Sequence, residues 1–75
     1  MAKLTKLSQD NGIENPNGII PGYTKEIAKE FVTLPKINEP YYFGGLRTSW
    51  VLKILSQDEN GFTFKTENST YKVEY

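Results

Sequence analysis

The 75 residues predict an α+β domain in which β structure dominates: a small bent antiparallel sheet or half-open barrel of four or five strands, with one short helix and a loop-rich N-terminal arm. Two patterns lead to this class. From Pro40 to the end, apolar residues alternate with polar ones in short runs separated by turn residues, the period of strands with one buried face. Apolar spacing of one, three and four, the mark of a helix, occurs between residues 24 and 34. The length is that of one domain covering residues 1–75.

Residues 1–22 carry Asn11-Gly12, Asn15-Pro16-Asn17-Gly18 and Pro21-Gly22, turn signals that leave little room for regular structure. This is the loop-rich arm. Leu4, Leu7, Ile13, Ile19 and Ile20 make it too apolar for a free tail, so it is expected to pack on the domain or on a second subunit, with a short hairpin around Asn11-Gly12. Thr24 then caps a helix over 24–34, in which Ile27, Ala28, Phe31 and Val32 share a face and Pro35 ends the run. The β-prone Phe31-Val32-Thr33-Leu34 supports a competing strand, but Lys25 to Glu30 favours helix.

Residues 40–75 are read as antiparallel strands. Tyr41-Tyr42-Phe43 is a short strand, and Gly44-Gly45 after it permits a bulge or a sharp turn. In the next strand Trp50, Leu52 and Ile54 fall on one face, with Val51, Lys53 and Leu55 on the other. Apolar residues on both faces place such a strand centrally or under a cover. Asp58-Glu59-Asn60-Gly61 is a hairpin turn; Phe62 and Phe64 alternate with Thr63 and Lys65 beyond it, and Tyr71, Val73 and Tyr75 with Lys72 and Glu74 in the last strand.

Composition removes several functions. Cysteine and histidine are both absent, so disulfides, zinc sites and thiolate or imidazole catalysis are excluded. A Ser, Thr or Tyr nucleophile would need a lysine or carboxylate beside it, and Ser49 and Lys53, four apart, meet on a helix but not on the strand expected here. The chain is therefore read as a non-enzyme without cofactor or metal. Nine basic and nine acidic residues cancel and form no long run, which argues against duplex nucleic acid as a partner. The first residues are too polar for a signal peptide, and no run approaches membrane-spanning length. The expected setting is the cytosol without membrane contact, with homo-oligomerisation as the remaining staple for so small a domain.

Two polar clusters stand out inside the strand-rich half: Arg47-Thr48-Ser49, and Thr66-Glu67-Asn68-Ser69-Thr70 leading into Tyr71. A guanidinium with two hydroxyls can hold a phosphate or carboxylate through paired hydrogen bonds. The plain readings compete with this. Arg47 can be a surface residue at a strand entrance, Asn68-Ser69 a turn, and Tyr71 a core aromatic. Tyr and Trp side chains left outside next to Arg47 would make a stacking platform for bases or a hot spot for a protein.

Tyr42-Phe43-Gly44-Gly45-Leu46-Arg47-Thr48-Ser49-Trp50-Val51-Leu52-Lys53-Ile54, followed by Phe64-Lys65-Thr66-Glu67-Asn68-Ser69-Thr70-Tyr71, resembles a group of small tailed-phage accessory proteins. These carry Thr-Ser, a hydrophobic strand and a Thr-x-Asn-Ser-x-Tyr ending. The resemblance covers residues 40–75 and implies a phage accessory protein acting in the host cytoplasm. Proteins of this kind include anti-defence sponges that sequester the cyclic nucleotide signals of bacterial immunity. On that expectation Arg47 faces a phosphate, Thr48, Ser49, Asn68 and Ser69 hydrogen-bond the ligand, and Tyr42, Trp50 or Tyr71 stacks on a base. The alternative is a protein-binding inhibitor of a host enzyme or defence protein, working through an aromatic patch or an edge strand. A concave pocket lined by Arg47, Thr48, Ser49 and Asn68 favours the ligand. A flat aromatic patch with the hydroxyls turned into backbone bonds favours the protein.

Overall fold

The computed structural model describes residues 1–10 and 20–75. The hairpin expected around Asn11-Gly12 lies outside these residues. Six strands form one antiparallel sheet: β1 (Ala2–Gln9), β2 (Thr24–Ile27), β3 (Pro40–Phe43), β4 (Leu46–Asp58), β5 (Gly61–Thr66) and β6 (Ser69–Glu74). Their order across the sheet is β2-β1-β6-β5-β4-β3, and the sheet curls into a half-barrel.

The β-dominant class and the bent sheet are as expected, but six strands replace four or five, and two of them fall where an arm and a helix were expected. In β1, Ala2, Leu4 and Lys6 point inward and are fully buried, while Lys3 is exposed. That is strand alternation, disguised because a lysine fills a core position. Residues 24–27 of the expected helix pair with β1 instead, Thr24 opposite Thr5 and Ile27 opposite Ala2. Lys29–Phe31 form a single 3₁₀ turn. A two-turn helix is marginal by itself, whereas β1 offers an edge on which each paired residue gains ladder hydrogen bonds. The predicted helix face is not buried as a unit: Ile27 and Val32 pack on the core and Phe31 is exposed.

β4 is bent by three register shifts, one against β3 between Pro40 and Tyr42 and two against β5, between Val51 and Lys53 and between Ile54 and Ser56. Each places an extra residue in β4, and bulges of this kind raise the local twist. They also break the expected two-face pattern: Val51 is buried while Leu55, expected on its face, is exposed. Gly44 helps the curl. At φ +61, it turns β3 into β4 with Lys25 Cε 2.9 Å and Ile27 Cγ2 3.0 Å from where a Cβ would stand. The two ends of the strand order thus approach each other across the open side of the half-barrel.

The concave face holds the core. Phe64 is central, stacked on Tyr71 with centroids 5.5 Å apart and meeting the Tyr41 ring edgewise at 4.9 Å. Leu4, Phe43, Val51 and Val73 surround this group, all fully buried. Tyr41 donates its hydroxyl hydrogen to Thr33 O at 2.7 Å, which satisfies the polar end of a buried ring. Burial raises the Tyr41 phenol far above its ordinary value, against the opposing effect of that hydrogen bond.

Lys6 occupies the same interior. Its amine donates to Gln9 Oε1 at 2.6 Å, and burial lowers its pKa from 10.5. The unfolded chain therefore holds a proton on Lys6 over a range in which the folded chain has released it, so stability rises with pH between the lowered folded value and 10.5. Tyr41 acts in the opposite sense above 10.0, where unfolded tyrosine ionises and the buried phenol resists. Denaturant titrations carried up to pH 10.5 are expected to show a rise that Lys6→Met abolishes. A flat profile in the parent chain would contradict it.

Candidate functional site

The two polar clusters meet. Thr66 pairs with Val51, and the Glu67 backbone N–H donates to Trp50 O at 3.1 Å, so the β5–β6 turn sits against the start of β4. The Asp10 N–H donates to Asn68 O at 2.8 Å, bringing the end of β1 to the same rim. Successive hairpins fold residues 47–50 and 66–70 onto one end of the half-barrel.

Most of the hydroxyls at this rim are used internally. The Tyr41 N–H donates to Thr48 Oγ1 at 3.1 Å, and the Thr48 hydroxyl donates to Ser49 O at 2.8 Å; Thr48 is buried beneath the bulge it helps to shape. Thr66 Oγ1 spans the turn, accepting from the Ser69 N–H and donating to Ser69 O, both at 3.1 Å. Ser69 is buried, its own hydroxyl 3.5 Å from Gln9 Oε1. Tyr71 is 1% exposed and stacked on Phe64. Thr48, Ser69 and Tyr71 were candidate ligand contacts, and all three are closed off from solvent because the inward side of a strongly curled sheet has to be filled. Ser49 and Asn68 are half-buried.

Three of the eight candidates are exposed. Tyr42 is 57% exposed and lies opposite Arg47 in the β3–β4 ladder, and Trp50, 50% exposed, lies opposite Pro40. The bulge between them sends Trp50 outward, where strict alternation would have turned it in. Tyr42, Arg47 and Trp50 thus share the outer face of one hairpin. Beside Tyr42 is a groove of about 420 Å³ lined by Thr33, Leu34, Lys36, Glu39, Pro40 and Tyr41 as well. Sequence reasoning missed this groove, since Thr33 and Leu34 in its lining were expected to end a helix.

Across the rim from this hairpin, Asp10 accepts hydrogen bonds from the Thr70 hydroxyl at 2.6 Å and the Ser8 hydroxyl at 2.7 Å. Those two bonds, with Lys65 adding its charge, hold the Asp10 carboxyl below the usual range. Among the described residues no group of acidic side chains is arranged to hold a metal ion, and no helix is long and apolar enough to cross a membrane. No protein-family model, curated protein or solved structure matches the chain.

Proposed function

We propose that this protein is a non-enzymatic binding module that grips a protein partner through the outer face of the β3–β4 hairpin, with Tyr42, Arg47 and Trp50 as its anchors. The observation that carries this reading is the division of the rim: Thr48 and Thr66 turn their hydroxyls into backbone hydrogen bonds and Ser69 is buried with its hydroxyl toward Gln9, while an aromatic pair and a guanidinium stay outside together. Tyr, Trp and Arg are the residue types that dominate binding energy at protein interfaces. The groove beside Tyr42 offers a seat for an apolar side chain of the partner. The same inward turn leaves fewer hydrogen-bonding groups at the rim for a sequestered cyclic nucleotide. With the phage resemblance, the partner is a host enzyme or defence protein.

The test is capture of a stoichiometric partner from bacterial host lysate by the immobilised parent chain, followed by affinity measurements with Trp50→Ala and Tyr42→Ala. Loss of a hot-spot ring is expected to weaken binding by about thirtyfold. A captured partner held equally well by the double variant would refute this face as the binding surface. A thermal shift with a cyclic di- or trinucleotide, abolished by Arg47→Ala, would return the site to ligand sequestration.

A further inference from the structure

Lysines that are dispersed along the sequence converge on the convex face. Lys53 on β4 lies directly opposite Lys65 on β5, and Lys72 on β6 lies opposite Thr63, two residues from Lys65 on the same side of β5. Lys65 and Lys72 point outward because the alternate positions, Phe64, Thr66, Tyr71 and Val73, are buried, and Lys53 shares the face of its partner Lys65. Like charges directly opposite in an antiparallel ladder destabilise it. Asp10 approaches Lys65 only to 3.9 Å, and Lys53 and Lys72 have no ion pair among the described residues.

Lys72 also lines a hollow of about 260 Å³, with Lys65 and Lys53 further along the same face. The walls of the hollow are two alternate rows of the sheet, with Asn60, Phe62 and Val73 completing the lining. One row is Ser56, Thr63 and Lys72, and the other is Asp58, Gly61 and Glu74. Gly61 contributes no side chain between the two carboxylates, so Asp58 and Glu74 are the charged groups of the second row. The hollow is therefore bipolar, with ammonium and hydroxyl donors at one side and carboxylate acceptors at the other.

We propose that this hollow binds a phosphorylated small molecule that carries hydrogen-bond donors at its other end, for which a nucleoside monophosphate is the simplest match. The phosphate accepts hydrogen bonds from Lys72, with Lys65 and Lys53 supplying further charge and Ser56 and Thr63 their hydroxyls. Asp58 and Glu74 accept from sugar hydroxyls or an exocyclic amine. One Asp58 oxygen already accepts from the Asn60 N–H at 2.8 Å, and a carboxylate has further acceptor positions. The site is separate from the Tyr42–Arg47–Trp50 face and does not depend on its role.

The test is amide NMR titration of the full chain with adenosine 5′-monophosphate, adenosine and inorganic phosphate. The monophosphate is expected to shift the amides of Ser56, Thr63 and Lys72 and to bind at least about tenfold more tightly than either fragment. Lys72→Ala is expected to weaken it by about tenfold with an unchanged far-UV circular dichroism spectrum, while Arg47→Ala leaves binding intact. Equal affinity for the monophosphate and inorganic phosphate would reduce the site to a screened cationic patch and overturn the proposal. Shifts confined to residues 47–50 and 67–69, or none at millimolar ligand, would also overturn it.

Discussion

Phe64→Ala is expected to bring the domain to the edge of unfolding. Phe64 is fully buried and packs on Tyr71, Tyr41 and Phe62, with ring centroids 5.5, 4.9 and 6.1 Å away. Removing a buried phenylalanine costs about 3 to 5 kcal/mol, because the lost transfer energy is compounded by a cavity that the surroundings fill only in part. At 75 residues the whole domain is worth roughly 4 to 11 kcal/mol. The walls here are strands tied to one another, which restricts collapse into the void. Thermal unfolding should show a fall in Tm on the order of 20 °C, at about 4 to 8 °C per kcal/mol for a domain of this size. Phe64→Leu, which keeps most of the volume, should cost about 1.5 kcal/mol. Equal Tm values for the alanine variant and the parent would mean that Phe64 is not the centre of the core.

The dependence on one ring explains which parts of the fold were legible. Phe62, Phe64, Tyr71 and Val73 alternate strictly with polar residues and flank clear turns, and the hairpins they form are those the sequence predicts. β1 was obscured by Lys6, since a buried lysine breaks the apolar pattern on which the reading depends, and its hydrogen bond to Gln9 is a tertiary fact. β2 was obscured because Lys25 and Glu26 favour helix locally, while the edge of β1 that recruits them is remote in sequence from the features that shape it. The bulges in β4 have no local signature at all. They arise from matching a 13-residue strand to shorter neighbours on both sides.

The site was legible in the same uneven way. Arg47-Thr48-Ser49 and Thr66–Tyr71 do meet, as successive hairpins suggested. What the sequence could not assign is direction. Thr48 faces inward and Trp50 outward because one extra residue in β4 inverts the alternation between them, and that inversion decides whether the rim presents hydroxyls or rings. The convergence of Lys53, Lys65 and Lys72 depends equally on register, so a census of charge along the chain misses it.

Register at the β4–β5 turn is in turn held by Gly61, and Gly61→Ala is expected to rival the loss of Phe64. Gly61 has φ +146, a conformation side-chain-bearing residues rarely adopt, and a Cβ there would stand 2.0 Å from Val73 O and 3.1 Å from Glu74 Cα. Those are backbone atoms of β6, which cannot swing aside as the end of a side chain can. Gly61 also pairs with both Asp58 and Glu74, so relieving the clash means parting β5 from β6 or opening the turn. Backbone strain of this kind costs about 1 to 3 kcal/mol, and displacement of paired strands adds to it, giving about 3 kcal/mol or more. Gly45→Ala is the matched control: nothing lies within 4 Å of its Cβ position, and reduced unfolded-state freedom makes the change neutral or slightly stabilising. Urea titration of the two variants should separate them widely. If both unfold at the parent midpoint, close packing of β6 over Gly61 is not what fixes this turn. If Gly61→Ala retains its fold but loses the Ser56, Thr63 and Lys72 shifts on adding adenosine 5′-monophosphate, the register that Gly61 holds also shapes the hollow.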